Sequence, residues 1–67
     1  MTMHAFRRGD LTRSCESRVS PEGDRFELVI TREGESRVES FSSLEAMLTR
    51  ERVLTNGWRA HCWQEVT

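Results

Sequence analysis

The chain has 67 residues, of which 36% are hydrophobic and 31% are charged. Its ten basic side chains are all arginine, and eleven side chains are acidic. This length allows one domain, which buries only about 60% of the surface of the unfolded chain, and the composition excludes a disordered tail. No apolar run approaches the roughly 20 residues of a membrane span, and the first residues lack the apolar segment of a secretory signal. We therefore expect a cytoplasmic protein.

The first part of the chain predicts an arm followed by a weak strand. Residues 1–9 show no periodicity and contain Arg7 and Arg8, which favours a flexible N-terminal arm. Residues 10–67 are then expected to form a single α+β domain. Between Leu11 and Val19, apolar and polar residues alternate weakly, as in a half-polar strand at a sheet edge.

A β-hairpin is predicted next. The segment 20–24 contains proline and glycine and is typical of a turn. The clearest strand follows at Phe26–Thr31, where Phe26, Leu28 and Ile30 share one face. Gly34 suits a tight turn that needs a left-handed backbone, and residues 36–41 form the returning strand.

A helix with both ends marked follows the hairpin. Ser42 is predicted as the N-cap, with Glu45 reaching back to it in a capping box. Asn56 and Gly57 are expected to stop the helix, with Gly57 in a left-handed conformation. Alternation from Trp58 to Trp63 predicts a last strand, parallel to its neighbour.

These elements predict a small two-layer α+β fold of order β-β-β-α-β, with a mixed, mostly antiparallel sheet. One helix can cover only one face of such a sheet. The uncovered face is expected to carry Val29 and Trp63, with Val38 as a further candidate.

Cysteine and histidine are the residues most suited to chemistry, but their spacing argues against a site. Cys15, His61 and Cys62, with His4, contain the atoms of a zinc site or of a Cys–His pair. Adjacent residues on a strand point to opposite faces, however, and no pair supplies two ligands locally. We predict no catalytic residue, metal or cofactor, and expect reduced thiols that pack as small hydrophobes. A zinc- or thiol-dependent regulator using Cys15, His61 and Cys62 stays as a third hypothesis.

Part of the chain resembles small uncharacterised bacterial proteins with a hairpin, a short helix and a closing Gly-Trp pair. The resemblance covers roughly residues 25–59, and its segments are 26–34, 38–41, 44–48 and 56–58. It implies the order hairpin, helix, strand, and no activity comes with it.

The leading functional hypothesis is a non-enzymatic protein-interaction module that homodimerises. A thin core, one helix for the whole sheet and spare aromatics favour association through the uncovered face or a strand edge. Trp and Arg are common at interface hot spots, so the candidate interface residues are Val29, Arg59, His61 and Trp63. Packing of Trp63 under the N-terminal arm is an alternative to the homodimer contact, and a different protein is the next possible partner.

The alternative hypothesis is an accessory nucleic-acid-binding protein. It would place Arg7, Arg8, Arg13 and Arg18 on phosphates and stack Trp63 on a base. The formal charge of −1 gives little counterion release and disfavours this alternative.

Overall fold

Five strands and one helix follow one another in the order β-β-β-β-α-β in the computed structural model, which describes residues 2–66. The elements are β1 (Thr2–Arg8), β2 (Leu11–Val19), β3 (Phe26–Arg32), β4 (Glu35–Phe41), α1 (Leu44–Ala60) and β5 (Gln64–Val66). The predicted α+β class is confirmed, with one strand more than expected. Met1, the first residue of the predicted arm, and Thr67, the last of the predicted domain, lie outside the described residues.

Residues 2–8, expected as a flexible arm, form β1. This strand pairs antiparallel with β2 along its whole length, from Thr2 opposite Ser17 to Arg8 opposite Leu11. Phe6 is its one fully buried side chain. A single buried residue in seven gives no periodic signal, so the strand is specified by its partner and not by its own pattern.

The sheet has the order β4-β3-β2-β1-β5, and all four pairings are antiparallel. The predicted parallel last strand is therefore wrong. β5 lies beside β1, with Gln64 opposite Arg7 and Val66 opposite Ala5. Because β1 was not expected as a strand, this neighbour could not be foreseen.

The hairpin of β3 and β4 is confirmed. Arg32 lies opposite Glu35, so the connecting loop has two residues, Glu33 with φ 50° and Gly34 with φ 86°. Two consecutive positive φ angles identify a type I′ turn, whose twist matches that of the flanking strands.

Both predicted ends of the helix are displaced. The N-cap is Ser43 rather than Ser42, and its Oγ accepts a hydrogen bond from the Ala46 N–H at 3.1 Å. Glu45 is thus at the second helical position and cannot close a capping box. The helix also passes through Gly57, which has no positive φ, and ends at Ala60.

Aromatic packing explains why the helix continues past its expected end. Trp58 is 5% exposed and packs edge-on against Phe6 with ring centroids 5.3 Å apart. Burial of such a ring contributes more than the roughly 1 kcal/mol that a helical glycine costs.

The core lies between α1 and one face of the sheet. It consists of Phe6, Cys15, Leu28, Ile30, Met47, Leu54, Trp58 and Trp63. Phe26 and Phe41 pack against its margin. Within residues 2–66, no helix is long and apolar enough to cross a membrane.

Candidate interaction surface

The sheet face opposite α1 is not covered by any element of residues 2–66, and we call it the open face. Its apolar members are Met3, Ala5, Val29, Val38 and Val66, as the strand registers require. Val29 is half-buried and lies directly opposite Val38, which is 48% exposed. The predicted position of Val29 on the uncovered face agrees with this arrangement.

The apolar residues of the open face form two groups. Met3, Ala5 and Val66 border a groove of about 390 Å³ near β1 and β5. Val29 and Val38 lie on the other side of β2. The open-face residues of β2 between the groups are polar: Thr12, Ser14, Glu16 and Arg18. The face is therefore amphipathic rather than a continuous apolar patch.

The outer edge of β4, which we call the β4 edge, is the longer free edge of the sheet. β4 spans seven residues, contains no proline and pairs with β3 without a bulge. Bulges, prolines and short length are the usual ways in which proteins block an edge. This edge has none of the three.

The turn next to β4 fixes which backbone groups face outward. The residues that flank a two-residue turn exchange hydrogen bonds, and hydrogen-bonded and non-bonded pairs then alternate along an antiparallel ladder. Arg32 and Glu35 flank the turn here. The N–H and C=O groups of Ser36, Val38 and Ser40 therefore point away from β3, toward the β4 edge.

Opposite charges alternate on the helix side of β4. Arg37 and Glu39 lie two residues apart, with Arg37 Nη2 3.2 Å from Glu39 Oε2. Arg50 of α1 reaches Glu39 with two hydrogen bonds, of 3.0 Å from Nε and 3.3 Å from Nη2. The Arg50 hydrogen bonds hold the pKa of Glu39 below its usual value, and this carboxylate is a fixed negative charge beside the β4 edge.

The predicted interface residues are divided between different parts of the molecule. Arg59 is exposed in the last helical turn and binds Glu65 at 2.9 Å, while His61 caps the helix with Nδ1 donating to the Gly57 carbonyl at 2.8 Å. Trp63 is only 4% exposed. The predicted last strand at residues 58–63 is instead the helix end and a turn, so Trp63 shares no sheet face with Val29.

The four predicted phosphate contacts are also divided. Arg8 and Arg13 lie on the helix side of the sheet, and their guanidinium carbons are 4.8 Å and 4.3 Å from the Trp63 ring centroid. Arg7 and Arg18 have the opposite parity and lie on the open face. Trp63 is covered by cations and buried, so stacking on a nucleic-acid base would require this contact to open.

A polar network at the other end of the core was not foreseen, because it depends on β1. Glu51 is 9% exposed and accepts from Thr2 Oγ1 at 3.2 Å, and His4 Nδ1 is 3.0 Å from Glu65 Oε2. Among residues 2–66, no buried side-chain polar atom lacks a partner. The hydrogen-bonding groups of this network are therefore satisfied within the fold.

The two cysteines have different environments. Cys15 is fully buried, as expected, and burial, followed by the charges of Glu51 and Glu65, raises its pKa to about 11. Cys62 is exposed, so its predicted packing in the core is wrong. In the part of the chain that the structure describes, no three His, Cys, Asp or Glu side chains are grouped to hold a metal ion.

Comparisons of the chain with protein-family models, with curated proteins and with solved structures found no match. The resemblance to small bacterial proteins therefore stays a prediction, and the function is argued from the residues themselves.

Proposed function

We propose that this protein is a small, non-enzymatic interaction module that homodimerises by antiparallel pairing of β4 with β4 of a second copy. The observation that carries the proposal is that the β4 edge is complementary to itself. Its sequence, Glu-Ser-Arg-Val-Glu-Ser-Phe, has Val38 at the centre.

A two-fold axis at Val38 pairs each residue with the one equally far on the other side. Ser36 then faces Ser40 of the second copy, and Arg37 faces Glu39 in both directions. Opposite charges directly across a ladder stabilise it by about 0.2–1 kcal/mol for each pair. The dimer has two such pairs and no like-charge pair across its new ladder.

The backbone supports the same register. Val38, Ser36 and Ser40 are the residues whose N–H and C=O groups point outward, and a pair centred on Val38 uses all of them. Pairing would form about six hydrogen bonds between the copies. Centring the pair on Arg37 or Glu39 would instead place two like charges opposite each other and use backbone groups already turned toward β3.

Charges on an edge strand often prevent association, so their effect here depends on register. A partner strand with a different charge pattern would place no opposite charges across from Arg37 and Glu39, and its pairing with β4 is therefore disfavoured. A second copy in the Val38-centred register satisfies them. The charges therefore select the partner as well as protecting the edge.

The dimer also enlarges the open face. Val29 and Val38 of one copy come next to Val38 and Val29 of the other, so a short apolar stripe crosses the centre of a continuous sheet. A 67-residue chain with a one-sided core gains stability from such an assembly by mass action.

Charge reversal tests the register directly. In Arg37→Glu, a glutamate would face Glu39 of the second copy, and in Glu39→Arg, an arginine would face Arg37. Each variant alone should sediment as a monomer at tens of micromolar. A mixture of the two should form a heterodimer, because opposite charges then meet at both positions.

Two further variants keep the test decisive. Val38→Pro removes one outward N–H, which has no partner among residues 2–66, and should abolish the dimer without unfolding it. Arg7→Glu on the open face is the charge-matched control and should still dimerise. Thermal melting identifies loss of folding, above all in Glu39→Arg, which also loses the bond to Arg50. A monomeric parent protein at these concentrations, or an Arg37→Glu variant that dimerises normally, would overturn the proposal.

A further inference from the structure

A cleft of about 330 Å³ lies on the helix side of the sheet, near the hairpin of β3 and β4 and the C-terminal half of α1. Arg13, Arg32 and His61 are its basic residues, and Val53, Trp58 and Trp63 are among its apolar ones. None of the described residues that line it is acidic. We call it the arginine cleft.

Two arginines lie directly opposite each other in this cleft. Arg13 of β2 and Arg32 of β3 are cross-strand partners on the helix side. Like charges in this position destabilise a sheet. Arg13 is 3.5 Å from Glu33. Arg32 lies opposite Glu35 on its other side, but among residues 2–66 no carboxylate comes within ion-pair distance of it.

A second unfavourable residue borders the same cleft. Gly57 lies inside the helix, where glycine is about 1 kcal/mol less favourable than alanine. It has no positive φ, and a Cβ added there would meet no atom within 4 Å, so neither backbone conformation nor close packing calls for glycine. Its effect is to leave the cleft wider by the volume of a side chain.

We infer that the arginine cleft binds a small organic anion, in which a phosphate or carboxylate group is joined to an apolar portion. Residues that destabilise the folded chain are expected at sites where a bound ligand offsets the cost. Two such features, the Arg13–Arg32 pair and Gly57, border this cleft. The inference concerns the helix side of the sheet and does not depend on dimerisation at the β4 edge.

The chemistry of the lining matches this class of ligand. An oxyanion between Arg13 and Arg32 would receive charge-assisted hydrogen bonds and remove the repulsion between the two guanidinium groups. The apolar portion would contact Val53, which is 58% exposed, and the edges of Trp58 and Trp63 that border the cleft, without displacing the arginines that cover the Trp63 ring. The volume is at the lower limit of known ligand pockets, about 300 Å³, which suits a small molecule.

A larger cavity beside it is a weaker candidate. It measures about 600 Å³ and shares Arg13 and Arg32, but Glu33 and Glu35 also line it. Glu33 pairs with Arg13 at 3.5 Å and Glu35 lies across the ladder from Arg32, so carboxylates on that side would repel an anion. The lining of the arginine cleft contains no acidic residue among those described.

Intrinsic fluorescence tests the inference without a label, because both tryptophans of the chain line the cleft. Phenyl phosphate and benzoate are the probes, and phenol is the uncharged control. We expect a saturable change in tryptophan emission with at least one of the two anions and none with phenol. Comparison of the two anions shows whether phosphate or carboxylate is preferred.

Substitution of Arg32 decides whether the signal comes from the cleft. Arg32→Gln should weaken binding at least about tenfold, which corresponds to 1.4 kcal/mol. It removes a like-charge neighbour of Arg13 and an opposite-charge neighbour of Glu35, so it should melt close to the parent protein. Gly57→Leu should also weaken binding, by filling the cleft, and Arg18→Gln on the open face should bind normally. No saturable change at millimolar anion, or equal affinity in Arg32→Gln and Arg18→Gln, would overturn the inference.

Discussion

Replacement of Gly57 by alanine is expected to stabilise this protein. The residue lies inside α1 with no positive φ, and an added Cβ has open space around it. Alanine can therefore adopt the native backbone without strain or collision. The unfolded chain loses conformational freedom on this substitution, which stabilises the folded state by about 0.5–1 kcal/mol.

The expected change is large enough to measure by thermal unfolding. For a domain of this size, 1 kcal/mol shifts Tm by about 4–8 °C, so Gly57→Ala should raise Tm by about 2–8 °C. Circular dichroism at one fixed protein concentration is the suitable assay, because association makes Tm depend on concentration.

Gly34→Ala supplies the matched control. Gly34 has φ 86°, a conformation that costs other residues about 1–2 kcal/mol, so this variant should melt lower than the parent protein. If Gly57 were instead a left-handed helix stop, both alanine variants would lose stability. A fall in Tm for Gly57→Ala would therefore refute the continuous helix.

Two further predictions concern titratable groups. In mildly alkaline solution, a thiol reagent should modify Cys62 in the folded protein and Cys15 only after denaturation, because burial raises the Cys15 pKa to about 11; two fast-reacting thiols per folded chain would contradict this. Arg50 lowers the pKa of Glu39, so the stability that this pair adds is present above the ordinary pKa of 4.5 and is lost as pH falls through the lower folded value. Urea unfolding of Arg50→Met should show a deficit at neutral pH that shrinks in acid, and a deficit independent of pH would count against the pair.

The elements that sequence predicts best are those whose signals are local. The hairpin of β3 and β4 is specified by period-2 alternation and by Gly34, and both are read correctly. β1 has no such local signal, because only its pairing with neighbouring strands distinguishes it from an arm. The helix end fails because the packing of Trp58 on Phe6 overrides a local glycine signal.

Residues of the candidate interaction surface are likewise predicted correctly only where a local signal specifies them. Val29 is correctly assigned to the open face because its strand has a clear parity. Trp63 is misplaced because the error at the helix end shifts everything after it. The symmetry of β4 about Val38 is visible in the sequence, but it gains meaning only when β4 is known to be an edge strand.

The connectivity of the sheet has a consequence for the order of folding. β1, β2 and β3 each pair with the strand that follows them in the chain, so the four-stranded part from β1 to β4 depends on short-range contacts that form rapidly. During synthesis it can assemble while α1 is still emerging, with Phe6, Leu28 and Ile30 exposed on one side. Met47, Leu54 and Trp58 arrive later, from a single helix, and Trp63 follows them. Docking of α1 is thus the step that removes the sheet's apolar surface from solvent, and mutations that slow it would prolong an aggregation-prone intermediate.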